Sequence, residues 1–228
     1  MRENGIIIAI DGPAGVGKSS VGKNVAARIN YKFISTGKMY RALAFKAARK
    51  GLDIGDEDFM LKTAEASAWE FRYSSGVEPL LHLDGIPLDR ELSDENVGKA
   101  SSAVSRLLKV RNFMVSKQRE IGAAGGFIME GRDIGTNVFP DAELKIYLDA
   151  SPEARALRRV RQLEADGRKS DYALILEMIK KRDHQDSLRE HNPLKKAEDG
   201  IYIDSTGLTQ EEVCGRIFDL YEGVLKAQ

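Results

Sequence analysis

The chain has 228 residues, a length that fits one large domain with an insertion as well as two small domains. Its 35 basic and 35 acidic residues give a formal net charge of zero, which argues against a nucleic-acid coat, a membrane-surface binder or an acidic tail protein. The single cysteine, Cys214, excludes an internal disulfide framework and a cysteine-cluster zinc site.

The first predicted element is a strand over residues 6–10. This run is apolar, β-branched and does not alternate, so it predicts a strand buried on both faces. It is too short for the apolar part of a signal peptide or for a membrane span, and we expect a cytoplasmic protein that does not bind a membrane. A helical pattern over residues 18–29 follows a glycine-rich turn, and this order is typical of the start of a parallel α/β sheet.

The turn itself, residues 12–19, reads GPAGVGKS and matches the phosphate-binding P-loop, G-x-x-x-x-G-K-[ST]. Glycines let successive backbone N–H groups converge on phosphate oxygens, and the following helix adds the positive end of its dipole. In such a loop Lys18 reaches the terminal phosphates, and the hydroxyl of Ser19 binds Mg²⁺. The motif predicts a nucleoside triphosphate site.

A P-loop alone does not specify the reaction. GTPases of the Ras type need a base-reading Asn-Lys-x-Asp, which this sequence lacks. ATPase motors usually show an apolar strand that ends in an acidic residue for Mg²⁺. The nearest candidates here end at Glu130 and Asp149, and neither decides the question.

The segment from residue 69 to residue 92 interrupts the α/β pattern. It alternates in places and carries turn signals at Ser75-Gly76 and Asp84-Gly85, which predict a small antiparallel β unit. We place this insertion at 65–103, so that 1–64 and 104–228 form the core. Further buried strands are predicted at 31–34, 127–130, 144–148 and 201–203. The expected fold is a three-layer α/β domain with a five-stranded parallel sheet.

Basic residues concentrate in the segment 155–189, which holds ten of them against six acidic residues. Taken alone, the segment fits two solvated helices with ion pairs at i,i+4 spacing. A triphosphate and a monophosphate that meet in one site bring about six negative charges, and arginine binds phosphate bidentately. We therefore expect a helical, arginine-rich lid that closes over the P-loop and excludes water.

Four motifs together resemble bacterial cytidylate kinases: GPAGVGKSS at 12–20, STGKMYRALA at 35–44, EGRDIGT-x-VFPDAELKIYLDAS at 130–151, and R-D-x-x-D-x-x-R at 182–189. The resemblance covers nearly the whole chain, and the β insertion is similar to the enlarged monophosphate-binding domain of the bacterial type. It implies an enzyme of pyrimidine metabolism that uses Mg²⁺ and transfers the γ-phosphoryl group of ATP to CMP or dCMP. Nothing in the sequence suggests an obligate interface, so we expect a monomer. Neither nucleic acid nor a membrane is an expected partner.

The resemblance also implies site residues by position. For the ATP phosphates they are Gly12, Pro13, Ala14, Gly15, Val16, Gly17, Lys18, Ser19 and Ser20, with Ser19 on Mg²⁺. For CMP they are Thr36, Arg41, Ser102, Arg111, Arg132, Asp133, Arg182, Asp186 and Arg189. The expected catalytic residues are Lys18, Arg132, Arg158 and Arg159.

Base recognition follows from the edge of cytosine, which presents one amino donor beside two acceptors. Asp133 supplies an acceptor, and Arg111 and Ser102 supply donors. Uracil has a carbonyl in place of the amino group and would leave a buried carboxylate unpaired, a mismatch that discriminates strongly.

The chain departs from the family pattern at two places. The usual Asp-Thr/Ser-Gly-Ala reads Ser35-Thr36-Gly37-Lys38, which removes a carboxylate and adds an ammonium group. This change fits either stronger phosphate attraction or a different surface partner. His184-Gln185 also departs from the charged residues expected there. Two alternatives stay open at this point: a kinase for another small acceptor, such as UMP or shikimate, and a nucleotide-dependent regulatory protein.

Overall fold

The computed structural model describes residues 2–74 and 76–227. The strands are β1 Ile7–Asp11, β2 Lys32–Ser35, β3 Trp69–Arg72, β4 Leu80–Leu83, β5 Ile86–Leu88, β6 Phe127–Gly131, β7 Leu144–Asp149 and β8 Ile201–Asp204. The α-helices are α1 Lys18–Ile29, α2 Thr36–Arg49, α3 Glu57–Glu65, α4 Glu95–Val104, α5 Leu108–Gly122, α6 Pro152–Ala165, α7 Tyr172–Ser187 and α8 Gln210–Ala227. A 3₁₀ turn spans Arg90–Ser93, and a π-helical turn spans Ile134–Val138.

The main sheet has five parallel strands in the order β2-β6-β1-β7-β8. The central strand β1 pairs with β6 on one side and β7 on the other. This confirms the predicted five-stranded parallel sheet. The predicted strands lie within one residue of their positions in the structure.

Helices cover both faces of the sheet. Alternate residues of β1 point to opposite faces, and each set packs in a separate apolar cluster with these helices. Ile8 and Ile10 pack in the cluster that contains Val21 of α1 and Ile217 of α8. Ile7 belongs to the opposite cluster, with Val115 of α5. Burial on both faces explains why β1 is apolar without alternation.

The inserted β unit is a three-stranded antiparallel sheet in the order β3-β4-β5. Asp84 and Gly85 both have positive φ, 54° and 78°, as a tight two-residue hairpin requires. Of the other predicted turn signal, Ser75 lies outside the described residues. The insertion packs on α2, where Leu81 and Leu88 contact the cluster that contains Ala42.

Side-chain caps fix the starts of two helices. Ser151 Oγ accepts from the N–H of Ala154 ahead of Pro152, which begins α6. Thr209 and Glu212 form a reciprocal capping box at the start of α8. Over residues 2–74 and 76–227, no helix combines the length and the apolar character needed to cross a membrane.

Candidate active site

The polar residues of the candidate site lie at the carboxyl edge of the sheet. The last residue of β1, Asp11, is in register with Gly131 of β6, and Ser35 of β2 is in register with Glu130. Helices α1 and α2 begin just beyond this edge. In open parallel sheets ligands bind outside the carboxyl ends of the strands, so this edge is where substrates are expected.

The P-loop connects β1 to α1 and encloses Lys18. The Nζ of Lys18 donates to the carbonyls of Gly12 and Pro13, both at 2.8 Å. Burial, together with the charge of Arg132, lowers the pKa of Lys18 to about 7. A Cβ at position 12 would lie 1.9 Å from the carbonyl oxygen of Leu148, so only glycine fits there. The loop therefore holds a buried ammonium group that a phosphate can pair.

Glu130 ends the apolar run of β6 and lies between two hydroxyl groups. Its Oε1 accepts from Ser19 Oγ and from Ser35 Oγ, each at 2.6 Å. The side chain is buried. A carboxylate beside the P-loop hydroxyl offers the hard oxygen ligands that Mg²⁺ prefers, so these residues fit the ion. The sequence alone left Glu130 and Asp149 undecided; the structure favours Glu130, because the partly exposed Asp149 accepts from Tyr202 instead.

Several of the predicted arginines converge on one cleft. Arg132 Nε donates to Asp186 Oδ2 at 2.8 Å. Burial, with the neighbouring charge of Arg132, lowers the pKa of Arg182 to about 10. Burial also lowers the pKa of Arg41, and the charges of Arg132 and Arg159 add to that shift. Part of each shift comes from repulsion between neighbouring arginines, which an anionic ligand would relieve.

A buried ion pair joins Arg111 of α5 to Asp133, the residue that follows Arg132. Arg111 Nη2 lies 2.6 Å from Asp133 Oδ2, and the two side chains are only 3% and 8% exposed. Asn137 Nδ2 donates to the same oxygen at 3.1 Å. The Nε of Arg111 is buried and has no protein partner among the described residues. Burying such groups is unfavourable unless a ligand completes their hydrogen bonds.

Three other residues predicted to bind CMP donate hydrogen bonds to backbone carbonyls of the protein. Ser102 Oγ donates to the carbonyl of Gly98, one turn back in α4, at 3.3 Å. Arg189 Nη2 donates to the carbonyl of Asn192 at 2.6 Å, and its Nε is buried without a partner among the described residues. Thr36 Oγ1 donates to the carbonyl of Glu130 at 2.8 Å.

The two predicted catalytic arginines of the lid contact different parts of the protein. Arg158 Nη1 donates to the P-loop carbonyl of Val16 at 3.4 Å and also contacts Ser205. Arg159 lies 3.4 Å from Glu95 of α4, and Arg168 lies 3.0 Å from the same carboxylate. The lid thus contacts both the P-loop and helix α4, which begins within the predicted insertion of residues 65–103.

Arg155 contacts the P-loop, although in the sequence it is only one of the ten basic residues of segment 155–189. It is 3% exposed and pairs bidentately with Asp183 of α7, at 3.0 and 2.6 Å. Its Nη1 also donates to the P-loop carbonyl of Ala14 at 3.2 Å. Its sequence signal is only its place in the basic segment, in the first turn of the helix that begins at Pro152.

The two departures from the family pattern contact different partners. Lys38 Nζ lies 3.0 Å from Oε1 of Glu78, and Lys23 of α1 pairs with the other oxygen of that carboxylate. Glu78 follows Val77, whose carbonyl accepts from the N–H of Phe33 in β2 at 2.9 Å. Lys38 therefore pairs with a carboxylate of its own chain, which favours the second of the two interpretations. Gln185 and His184 are exposed on α7.

Comparison with known proteins gives a consistent result. The sequence profile of the family described as cytidylate kinase matches residues 8–223. The cytidylate kinase of Bacillus pumilus is 44% identical over 219 residues, which cover 96% of this chain and 97% of that protein. The cytidylate kinase of Geobacter sp. strain M21 is 45% identical over 213 residues, covering 93% and 91%. Among solved structures, a gluconokinase from Sinorhizobium meliloti is similar in fold, with a TM-score of 0.51, 12% identity and coverage of 100% of this chain and 97% of that one.

Proposed function

The chain belongs to the cytidylate kinase family and transfers the γ-phosphoryl group of ATP to CMP or dCMP, and on this basis we propose how its residues share the work. The family assignment replaces two alternatives that the sequence left open, a shikimate kinase and a nucleotide-dependent regulatory protein.

On the donor side, residues 12–20 hold the phosphates of ATP. The backbone N–H groups of the loop and the start of α1 face the phosphate oxygens, and Lys18 exchanges its two carbonyl partners for phosphate. Ser19, with Glu130 beside it, holds Mg²⁺, which offsets phosphate charge when it is bound.

On the acceptor side, the arginine cleft holds the phosphate of CMP and the insertion covers the nucleoside. Arg41 and Arg182 support this role, because the charge of Arg132 lowers the pKa of both, and a phosphate would relieve that repulsion. Asp186 accepts hydrogen bonds from the ribose hydroxyl groups of CMP. Arg189 contacts both the ribose and the phosphate of CMP. We propose residues 65–103 as the monophosphate-binding unit, which supplies Ser102.

The transfer step needs little covalent chemistry from the protein. An oxygen of the CMP phosphate forms a bond to the γ-phosphorus of ATP as the bond from that phosphorus to the β,γ-bridging oxygen breaks, leaving ADP and CDP. Charge then spreads over the transferred group, and Lys18, Arg132, Arg158 and Arg159 stabilise it. Arg158 already contacts the P-loop, which supports its role.

The proposed enzyme is a cytoplasmic monomer that acts on small phosphate esters, with neither nucleic acid nor a membrane as partner. The balance of 35 basic and 35 acidic residues supports the absence of a nucleic-acid partner, since nucleic-acid binding uses a basic patch or stripe.

The observation that carries the base assignment is the buried pair of Arg111 and Asp133. A crystal structure with CMP tests it. We expect Asp133 to accept from the cytosine amino group and Arg111 to donate to a ring acceptor. A base that contacts neither side chain would overturn the assignment.

A further inference from the structure

Asp11 is a buried carboxylate that the phosphoryl-transfer mechanism does not use. It is 4% exposed and ends the central strand β1. Its Oδ1 accepts from the N–H of Ile134 and its Oδ2 from the N–H of Gly135, both at 2.8 Å. Both oxygens are thus engaged by the backbone that directly follows Arg132 and Asp133.

The hydrogen bonds of Asp11 come at a cost, because burial raises the pKa of its carboxyl group to about 6. The nearby charge of Asp133 raises it further, while the two N–H donors and Lys18 act in the opposite direction. Burying an ionised group is unfavourable unless its hydrogen bonds offset the loss of hydration. We therefore expect a buried carboxylate such as Asp11 where those bonds also fix a geometry that the protein needs.

The loop that Asp11 holds lies between two regular elements. Strand β6 ends at Gly131, and the π-helical turn begins at Ile134, so Arg132 and Asp133 lie between the two elements. Asp133 has φ of −148° and ψ of 28°, outside regular helix or strand geometry. Two adjacent N–H groups fixed by one carboxylate set both the position and the tilt of this loop.

Asp11 also adjoins the donor site. The next residue, Gly12, opens the P-loop and accepts from Lys18 Nζ. A single side chain therefore joins the start of the ATP phosphate loop to the loop that carries the acceptor residues.

We propose that Asp11 is a positioning residue that sets Arg132 and Asp133 relative to the P-loop, and thereby controls CMP affinity and cytosine selectivity. This inference rests on the roles proposed above for Arg132 and Asp133. Asp11 contacts no substrate in this scheme and acts through the backbone of Ile134 and Gly135.

The test variant is Asp11→Asn, which keeps the shape but turns one acceptor into a donor that faces an N–H group. The matched control is Glu143→Gln, because Glu143 accepts from the N–H of Ile7 at the other end of the same strand, at 2.9 Å. Asp11→Ser, which retains one acceptor, serves if the asparagine variant does not fold.

For each variant we would measure the dissociation constants of CMP and of ATP, the kcat/KM ratio for CMP over UMP, and amide exchange at Ile134 and Gly135. We expect Asp11→Asn to weaken CMP binding by about 10- to 100-fold, since small displacements of positioned groups have effects of that size. The selectivity ratio should fall, exchange at both amides should speed up, and ATP affinity should stay within about threefold. Glu143→Gln should lower the stability of the protein and leave CMP affinity and selectivity unchanged.

Asp133→Asn is measured in parallel to separate the two claims. If Asp133→Asn keeps wild-type selectivity, the assignment of Asp133 as the base-reading residue fails. The positioning role of Asp11 then still requires that Asp11→Asn weakens CMP binding, through the displacement of Arg132. Faster amide exchange in Asp11→Asn with unchanged CMP affinity would make Asp11 a purely structural residue and overturn the proposal.

Discussion

The hydroxyl of Ser35 donates a hydrogen bond of 2.6 Å to Oε1 of Glu130, the oxygen that also accepts from Ser19 of the P-loop. An aspartate at position 35, usual in the family, would place a second carboxylate against this buried one. The serine instead supplies a donor, and so it holds Glu130 next to the hydroxyl proposed to bind Mg²⁺. Ser35, the first departure from the family pattern, thereby orients Glu130.

Replacing Ser35 with alanine tests this role. Glu130 would keep only Ser19 as a hydroxyl donor to Oε1, and a less oriented carboxylate binds a metal ion less well. We expect the Mg²⁺ concentration for half-maximal velocity to rise about tenfold, with the KM for CMP unchanged. Titration of the initial velocity with Mg²⁺ at saturating substrates measures this, and an unchanged curve would assign Ser35 to stability alone.

Lys38→Ala separates phosphate attraction from surface pairing. Because Lys38 pairs with Glu78, the substitution should leave the KM for CMP within about twofold and cost less than about 1 kcal/mol in stability. Arg41→Ala, one turn along α2 from Lys38, is the contrasting variant and should raise that KM strongly. A comparable rise in Lys38→Ala would show that Lys38 attracts the acceptor phosphate.

Lys18→Ala should reduce kcat by about 10²- to 10³-fold or more, because its charge acts on the transferred group. The fold should persist, since burial already disfavours the charged lysine and no acidic side chain among the described residues forms an ion pair with it. Lys23→Ala on the same helix is the control. Steady-state kinetics and thermal unfolding of both variants suffice, and a Lys18 variant that merely loses stability would contradict the assignment.

Asp11 gives a pH dependence of stability with a definite sign. Its pKa rises from an ordinary value of 3.8 to about 6 on folding, so its favourable contribution is complete below pH 3.8 and is lost as the pH rises through 6. Between pH 5 and pH 7.5 the wild type should therefore lose about 1 kcal/mol of unfolding free energy relative to Asp11→Asn. Urea unfolding at the two pH values measures this difference, and parallel changes in both proteins would show that Asp11 does not titrate there.

Much of the fold could be predicted from local sequence, because the signals for its elements are local. The P-loop and the capping box of Thr209 and Glu212 place all their partners within a few residues of one another. The turn at Asp84-Gly85 requires two consecutive residues with positive φ. Asp-Gly is a dipeptide that favours this geometry, so the turn could be predicted from the sequence.

The pairs that complete the site could not be predicted in the same way. Ser19 and Glu130 are 111 residues apart, and Arg155 meets Asp183 across two helices. Such contacts depend on which strands are neighbours and on how the lid packs. The contact of Asp11 with Ile134 depends on a π-helical turn, whose i→i+5 hydrogen bond from Val138 to Asp133 has no short sequence signature.

The most direct test of the account is the ratio of kcat/KM for CMP over UMP, measured with a coupled assay in the wild type and in Asp133→Asn. The buried pair of Arg111 and Asp133 predicts a large ratio in the wild type, because uracil would leave the carboxylate unpaired. In the variant the ratio should fall by at least about tenfold, mainly through slower use of CMP. A wild type that uses UMP as well as CMP, or a variant with unchanged selectivity, would contradict the assignment of Asp133 as the group that reads cytosine.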